Sequence, residues 1–552
     1  MKWKTCLAGA AALVVCAGSA GALAQTQTAS EAPGAGQQRN IIFVLLDDLR
    51  FDGMGFLQPK LKTPNIDAMA AQGTYFPNAI VTSSLCSPSR ATILTGLTAR
   101  NHRVVDNNDS SEEGLTFFPA YMQEEGYQTA FVGKWHMGMS TDAPRPGFDE
   151  WVSFKGQGYY GPTDNMSPEQ VSKGLRHMLN VNGKEVEQKG YITDELTDYA
   201  MDWLENGRDA SKPFFLYLSH KAVHSDPIPP ERYKTQYADV SFDIPASAAD
   251  TEENREGKPM WVQNQRDSWH GIDSFFAKDL KMTDYLKDYY ATLSAVDDSL
   301  GRIMTYIHDN GLDQKTMIVF YSDNGFLIGD HGLIDKRNAY EGSVRVPMVV
   351  WAPGLVEAGA TNPAVVRNLD LAPTFVDLAG GEEPSQFEGV SIVPLLSGQV
   401  KPEDWKAPDF VYEYYWEWTF PMTPTTFAIE RDRVKYIQYH GVWDIEEIYD
   451  LNNDPDEMHN LIDDPAYFDR KIELRKALFQ QLADTNGLHN IPYTARTSQG
   501  VSQRSLKGRE AAPFPEKWLV PANRPGRLND VFADTPAKMK AEEEGKAYFP
   551  IR

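Results

Sequence analysis

Asn40-Ile41-Ile42-Phe43-Val44-Leu45-Leu46-Asp47-Asp48 decides how this chain is read. The run is almost wholly apolar and lacks the alternation of a strand with one wet face, which predicts a strand buried on both sides at the centre of a sheet. It ends in two adjacent acids. Ligands of open α/β sheets gather beyond the C-terminal ends of the strands, so Asp47 and Asp48 are candidate metal ligands, against the plainer reading of a solvated turn. The same rhythm returns downstream. Residues 127–133 read as a strand leading into Gly133-Lys134-Trp135-His136-Met137-Gly138, where Lys134 and His136, two apart in an extended chain, would point the same way. Residues 213–219 (PFFLYLS) read as a buried strand followed by His220-Lys221-Ala222-Val223-His224. Residues 316–321 read as another, ending in Ser322-Asp323-Asn324-Gly325. Helical spacing covers 64–72, 115–125, 193–207 and 289–310.

Strands that end in polar clusters, with helices between them, predict an α/β fold: a large mixed, mostly parallel sheet flanked by helices. After about Gly398 the character changes. Residues 410–416 are aromatic, 426–439 read as two strands around Glu430-Arg431-Asp432, 447–451 as a third and 468–482 as a helix. This predicts a smaller C-terminal α+β subdomain on a short antiparallel sheet. The expected division is a signal peptide at 1–24, a linker at 25–39, a catalytic domain at 40–400 and the C-terminal subdomain and tail at 401–552.

The chain has 552 residues and a formal net charge of −24. A surface so acidic argues against nucleic acid and anionic membranes as partners. Lys2 and Lys4, a short apolar stretch and Ala22-Leu23-Ala24 form a secretory signal with a cleavage site, so the expected location is periplasmic or secreted. Of three cysteines, Cys6 and Cys16 fall in that signal. Cys86 is then the single cysteine of the mature chain and has no partner for a disulfide. A lone cysteine is ordinarily an inert buried thiol.

Its surroundings point elsewhere. Residues 83–96 read SSLCSPSRATILTG. From Cys86 this resembles the sulfatase signature C-x-P-S-R-x-x-L-x-T-G, with Ile93 in place of the Leu. Further motifs follow in order: 41–48, then 133–138 (GKWHMG), 212–224 (KPFFLYLSHKAVH, with Val223 for the family's Pro), 320–337 (FYSDNGFLIGDHGLIDKR), 340–342 with 345–347, 368–378 and 447–461. The resemblance covers residues 40–485. It implies an alkaline-phosphatase-like fold and a sulfuric ester hydrolase. In this family the cysteine is oxidised to formylglycine before folding by a formylglycine-generating or radical-type maturation enzyme. One hydroxyl of the hydrated aldehyde attacks sulfur, and the second later expels sulfate.

The resemblance also assigns roles. Asp47, Asp48, Asp323 and Asn324, joined by the modified Cys86, would hold a cation, and hard oxygen donors suit Ca²⁺. Arg90, Lys134 and Lys336 would take the sulfate oxygens and the growing charge on the leaving oxygen. A helix starting near Pro88 would put Arg90 one turn from Cys86. With Ca²⁺ bound, the pocket carries about +2 inside an acidic surface. His136 is the candidate base that resolves the sulfated intermediate, and His224 with Lys336 the candidate acid for the alcohol. His331 and Arg337 lie within matched motifs without a clear role.

The substrate expected is a sulfated carbohydrate. Tyr159-Tyr160, Trp269-His270 and the aromatics of 412–418 are candidates for stacking on sugar rings, with core packing as the plainer reading. The stretches 412–425 (YEYYWEWTFPMTPT) and 266–271 (RDSWHG) resemble bacterial N-acetylglucosamine-6-sulfatase-like enzymes. The alternatives are a phosphonate or phosphodiester hydrolase of the same superfamily and a glycan-binding protein that keeps Cys86 unmodified.

Overall fold

The computed structural model describes residues 38–487, apart from 109–111, 113, 269, 274–280, 407, 418–419 and 441–443. The expected signal peptide with Cys6 and Cys16, residues 25–37 of the expected linker, Trp269, Trp418 and the tail beyond 487 lie outside the described residues.

The strand predicted first, β1 (Asn40–Leu46), is buried at every position. It lies between two parallel neighbours, β8 (Phe214–Ser219) and β9 (Thr316–Ser322). Outside β8 come β4 (Gln128–Lys134) and β5 (Glu150–Phe154), also parallel. The sheet continues past β5 through the antiparallel pair β6 (Met178–Val181) and β7 (Lys184–Glu187). Past β9 it continues through β10 (Met348–Trp351), β2 (Thr74–Tyr75) and β11 (Ala360–Thr361). Only β10 departs from parallel pairing near the centre, running against β9. A two-stranded piece, β3 (Ala79–Ile80) with β12 (Val366–Arg367), stands apart.

Both faces of the sheet are covered, which is why β1 can be apolar from Ile41 to Leu46. Ile42, Val44 and Leu46 face a cluster with Tyr289, Leu293, Val296 and Leu300 of the long helix Met282–Asp309, beside the helices Pro64–Gln72 and Ile192–Asp202. Ile41, Phe43 and Leu45 face the helices Cys86–Thr95, Phe118–Glu124 and Leu371–Ala379 through Ile93, Phe118 and Phe375. Each such side chain taken from water is worth about 1.5–3 kcal/mol.

The smaller sheet is antiparallel, in the order β13 (Phe410–Tyr414), β14 (Thr425–Arg431), β15 (Val434–His440) and β16 (Glu447–Asp450). Asp432 and Arg433, with φ of 53° and 60°, make the two-residue turn between β14 and β15, the left-handed pair that matches strand twist in a tight hairpin. One face packs on Leu474, Leu478 and Leu482 of the helix Phe468–Asp484. The other packs on Leu85, Leu327 and Tyr340 of the main domain through Tyr412, Tyr414 and Tyr449. Among the described residues no helix is long and apolar enough to cross a membrane.

Three expectations need correction. The helix predicted from Pro88 begins two residues earlier, so Cys86 is its first residue. β4 ends at Lys134, and His136 stands beyond it with φ of 49°, so strand alternation is not what brings Lys134 and His136 together. The helix expected from 289 starts at Met282, because Met282, Tyr285 and Leu286 extend the buried stripe by two turns.

Candidate active site

The central strands end level with one another. Leu46 pairs with Ser322 and Leu45 with Ser219, while Gly133 pairs with Ser219 from the other side. The residues that follow each strand therefore share one edge. Gly133 makes part of this possible: a Cβ there would meet Ser219 O at 1.8 Å, and its φ is +128°. Asp47 and Asp48 follow β1, Asp323 and Asn324 follow β9, and Lys221 to His224 follow β8.

Cys86 reaches this edge from the start of its helix, all ten residues of which are buried. Asn368 ties the helix down: its Nδ2 donates to Ser89 Oγ and its Oδ1 accepts from Thr82 N. Cys86 is free and fully buried. Its Sγ lies 2.9 Å from Lys336 Nζ and 3.5 Å from Asp47 Oδ1. Burial pushes the thiol up to about 12 against the pull of Lys134 and Lys336, so it stays protonated at neutral pH and is a poor nucleophile as it stands.

Each carboxylate has its own cation. Lys134 pairs with Asp47, Lys336 with Asp48, and Arg90 Nε with Asp323 Oδ2 at 2.8 Å. Arg90 also donates to Lys134 O and Ser219 Oγ, both at 2.7 Å. Burial raises the Asp47 carboxyl, but Lys134, His224, Arg90 and Lys336 together outweigh it and hold Asp47 well below the usual range. Burial wins at Asp48, which is raised despite Lys336. At Asp323, burial and then Asp47 push the carboxyl up to about 7 against Arg90.

The donor set fits a hard divalent cation. The carboxylate oxygens of Asp47, Asp48 and Asp323 lie within 4.8 Å of one another, all buried. Among the described residues, Asp48 Oδ2, Asn324 Oδ1 and Arg90 Nη2 are buried without a hydrogen-bond partner. Unsatisfied buried oxygens are costly, and a cation among them satisfies them while offsetting three negative charges.

The two histidines flank this cluster. His224 Nδ1 lies 2.5 Å from Ser225 O, which fixes the tautomer, and Nε2 lies 3.8 Å from Asp48 Oδ2. His136 is held by Ser87 Oγ, which donates to its carbonyl at 2.5 Å; its Nε2 lies 3.4 Å from Met139 Sδ, and its Nδ1 is buried without a partner among the described residues. Burial lowers both imidazoles well below the ordinary value.

The residues given metal, sulfate-binding or acid–base roles from sequence are thus gathered at one edge; His331 and Arg337, matched without a role, are engaged elsewhere. Arg337 is occupied by Glu417 at 2.8 Å and Asp335 at 2.9 Å and lies over the Phe420 ring. His331 packs on Tyr340. Of the aromatic candidates, Tyr160, Tyr412 and Tyr414 are core residues. Tyr159 and Trp416 are exposed, and Tyr159 stacks on His177. Two residues were missed: Gln157, whose Oε1 accepts from Lys134 Nζ at 2.5 Å, and Lys221. Both follow strands of the parallel set, and strand-end position was the signal available for them.

Two family models match the chain, one described as sulfatase over residues 39–381 and one as N-sulphoglucosamine sulphohydrolase, C-terminal, over 329–484. An N-acetylglucosamine-6-O-sulfatase of Bacteroides thetaiotaomicron is 33% identical over 493 residues, covering 80% of this chain and 85% of its own length. A protein solved in complex with its substrate D-glucosamine-2-N,6-O-disulfate superposes with a TM-score of 0.72 at 30% identity, covering 82% of this chain and 98% of the other. A phosphonate monoester hydrolase from Silicibacter pomeroyi gives 0.66 at 22% identity over 85% of this chain and 99% of its own, a likeness of fold.

Proposed function

The chain belongs to the sulfatase family and is a sulfuric ester hydrolase acting on carbohydrate, and from that premise we propose that it removes the 6-O-sulfate of N-acetylglucosamine units, using formylglycine made from Cys86 and a bound Ca²⁺. The observation that carries the reading is the meeting at Cys86 of an ammonium at 2.9 Å and a carboxylate at 3.5 Å at the edge of the central sheet. The choice of sugar is supported by the names of the similar proteins. Cys86 is wholly inaccessible in the folded chain, which supports a maturation enzyme that acts before folding. Export to the periplasm or beyond would follow from the signal read at 1–24.

As formylglycine, residue 86 supplies a hydrated aldehyde: one hydroxyl can displace an alcohol from sulfur, and the other can afterwards expel sulfate and restore the aldehyde. Asp47, Asp48, Asp323 and Asn324 would hold the cation, which polarises an S–O bond and eases loss of the nucleophile's proton. The remaining work falls to this chain's side chains. Lys134 and Lys336 bind sulfate oxygens, and Lys336, beside Cys86, also faces charge growing on the leaving oxygen. Arg90 holds Asp323 in place and offers its free Nη2, 3.8 Å from Asp47 Oδ1, to the same pocket. With its Nδ1–H held by Ser225 O, His224 Nε2 carries a proton only as imidazolium, a form that the negative charge of an entering sulfate favours, and from that form the proton would pass to the sugar oxygen, beside Lys336. His136 Nδ1 takes a proton from the second hydroxyl.

The test is release of inorganic sulfate by the matured enzyme from N-acetylglucosamine-6-sulfate, glucosamine-2-N,6-O-disulfate and N-acetylgalactosamine-6-sulfate, with a phosphodiester and a phosphonate monoester alongside. Preference for the glucosamine 6-sulfates is expected. Faster turnover of the phosphorus esters would overturn the reading in favour of a phosphonate or phosphodiester hydrolase. Cys86 left as the thiol in protein made alongside a competent maturation enzyme, with no turnover of any of them, would favour the glycan-binding protein.

A further inference from the structure

Among the described residues, one buried cation near the site, Lys221, has no ion-pair partner. Lys221 is 5% exposed. Among the described residues its Nζ makes no hydrogen bond or ion pair, and its contact is the Tyr160 ring, 4.6 Å away. The three carboxylates of the site are already matched by Lys134, Lys336 and Arg90, so Lys221 is not needed to balance them. Its place is fixed by the backbone. His220 N donates to Leu45 O at 2.8 Å, and Ala222 O and Val223 N bond to Asp47 at 3.0 and 2.9 Å. The residue between is thereby pinned at the tip of β8, against the strand that carries Asp47 and Asp48.

Gln157 flanks the same spot from β5. Its Oε1 accepts from Lys134 Nζ. An ammonium has only protons to offer, so the amide oxygen must face it, and the amide NH₂ is turned away. That NH₂ has no partner among the described residues. β8, β4 and β5 are neighbours, so Lys221, Lys134 and Gln157 stand side by side along the edge of the site.

We propose that Lys221 and the Gln157 amide form, around Lys134, an oxyanion subsite that takes sulfate oxygens of the substrate. This rests on the sulfatase reading above. An ammonium on a buried side chain whose neighbour is an aromatic ring gains by pairing with an anion, and an anion that enters beside it also completes the hydrogen bonds of the amide. The ammonium is lowered to about 8, by burial first and by Lys134 second. It therefore remains mostly protonated at pH 7, and a bound anion strengthens that state. The oxygens come either from the sulfate being transferred or from a second sulfate on the sugar.

The test uses the full chain with Lys221→Met, which keeps the length of the side chain against Tyr160, together with Lys221→Arg and Gln157→Glu. Binding of inorganic sulfate is measured by calorimetry. KM is measured for glucosamine-6-sulfate and for glucosamine-2-N,6-O-disulfate. If the subsite holds the transferred sulfate, Lys221→Met and Gln157→Glu weaken inorganic sulfate about tenfold or more and raise both KM values, while Lys221→Arg keeps most of the affinity. If it holds a second sulfate, the disulfate KM alone rises. Unchanged sulfate affinity and unchanged KM for both sugars in folded Lys221→Met would overturn the proposal, as would the same result in Gln157→Glu should Lys221→Met fail to fold. Wild-type protein that binds sulfate in a Lys221-dependent way but hydrolyses no sulfate ester would sink the functional reading and leave the subsite standing.

Discussion

His102 gives an acid-stability prediction that can be worked from the structure. It sits behind the helix that carries Cys86, fully buried, with Nε2 at 3.1 Å from Thr92 Oγ1 and Nδ1 accepting from Val104 N at 3.1 Å. Both ring nitrogens are used by the neutral form, and burial lowers the imidazole to about 3. The depressed value sets the sign. Stability is fully present above the unfolded value near 6.5 and is lost as pH falls toward 3, because the unfolded chain takes up a proton that the folded chain refuses. The loss is about 1.4 kcal/mol per pH unit, or about 2 kcal/mol by pH 5. His220, also lowered to about 3 by burial, adds a similar slope. His102→Gln keeps a donor for Thr92 and removes the titration. In urea unfolding followed by tryptophan fluorescence, the variant should be less stable than wild type at pH 7, and the gap should narrow by about 2 kcal/mol at pH 5. A gap that stays constant between the two pH values would refute the reasoning.

The other expectations concern the site and the packing beneath it. Chelation should abolish turnover, and Asp323→Ala should remove the rise in melting temperature that added Ca²⁺ gives the wild type; activity surviving both treatments would contradict the assignment. His224→Ala should slow a sugar sulfate by about a hundred- to ten-thousand-fold and largely spare an aryl sulfate with an acidic phenol. Equal slowing of the two would make His224 a binding residue. His136→Ala should bring both substrates to a common slow rate, with alcohol released ahead of sulfate. Leu478→Ala, in the helix packed on the small sheet, should cost about 2–5 kcal/mol in urea unfolding with the site unaltered.

What was legible in the sequence follows from where the information is local. β1, β8 and β9 could be read because strands buried on both faces are apolar along nearly their whole length, and their C-terminal acids and histidines were marked by that ending. The hairpin was visible as a polar break between two apolar runs, but the break was read at Glu430-Arg431-Asp432, whereas Glu430 and Arg431 close β14 and the turn is Asp432-Arg433. The edge strands were not: β2, β3, β11 and β12 are two residues long, too short for any period. His136 was placed correctly by its motif and wrongly by strand alternation, since a left-handed residue lies beyond the end of β4. Gln157 and Lys221 were marked only by following strands, a position too common to single them out. They matter because parallel register sets the ends of β5 and β8 beside Lys134, and register is a long-range property. Some matched motifs turned out to cement the fold. Asn368 anchors the Cys86 helix, Glu341 meets Lys435, and Glu447 takes hydroxyls from Tyr340, Tyr439 and Tyr449.

The central claim is that Cys86 works as formylglycine, and the mass of the tryptic peptide spanning residues 63–90 tests it most directly. Peptide from active enzyme should be about 18 Da lighter than the thiol form, because CH₂SH has become CHO, and the modified fraction should rise and fall with specific activity across preparations. Fully active enzyme whose peptide carries only the thiol would contradict the account.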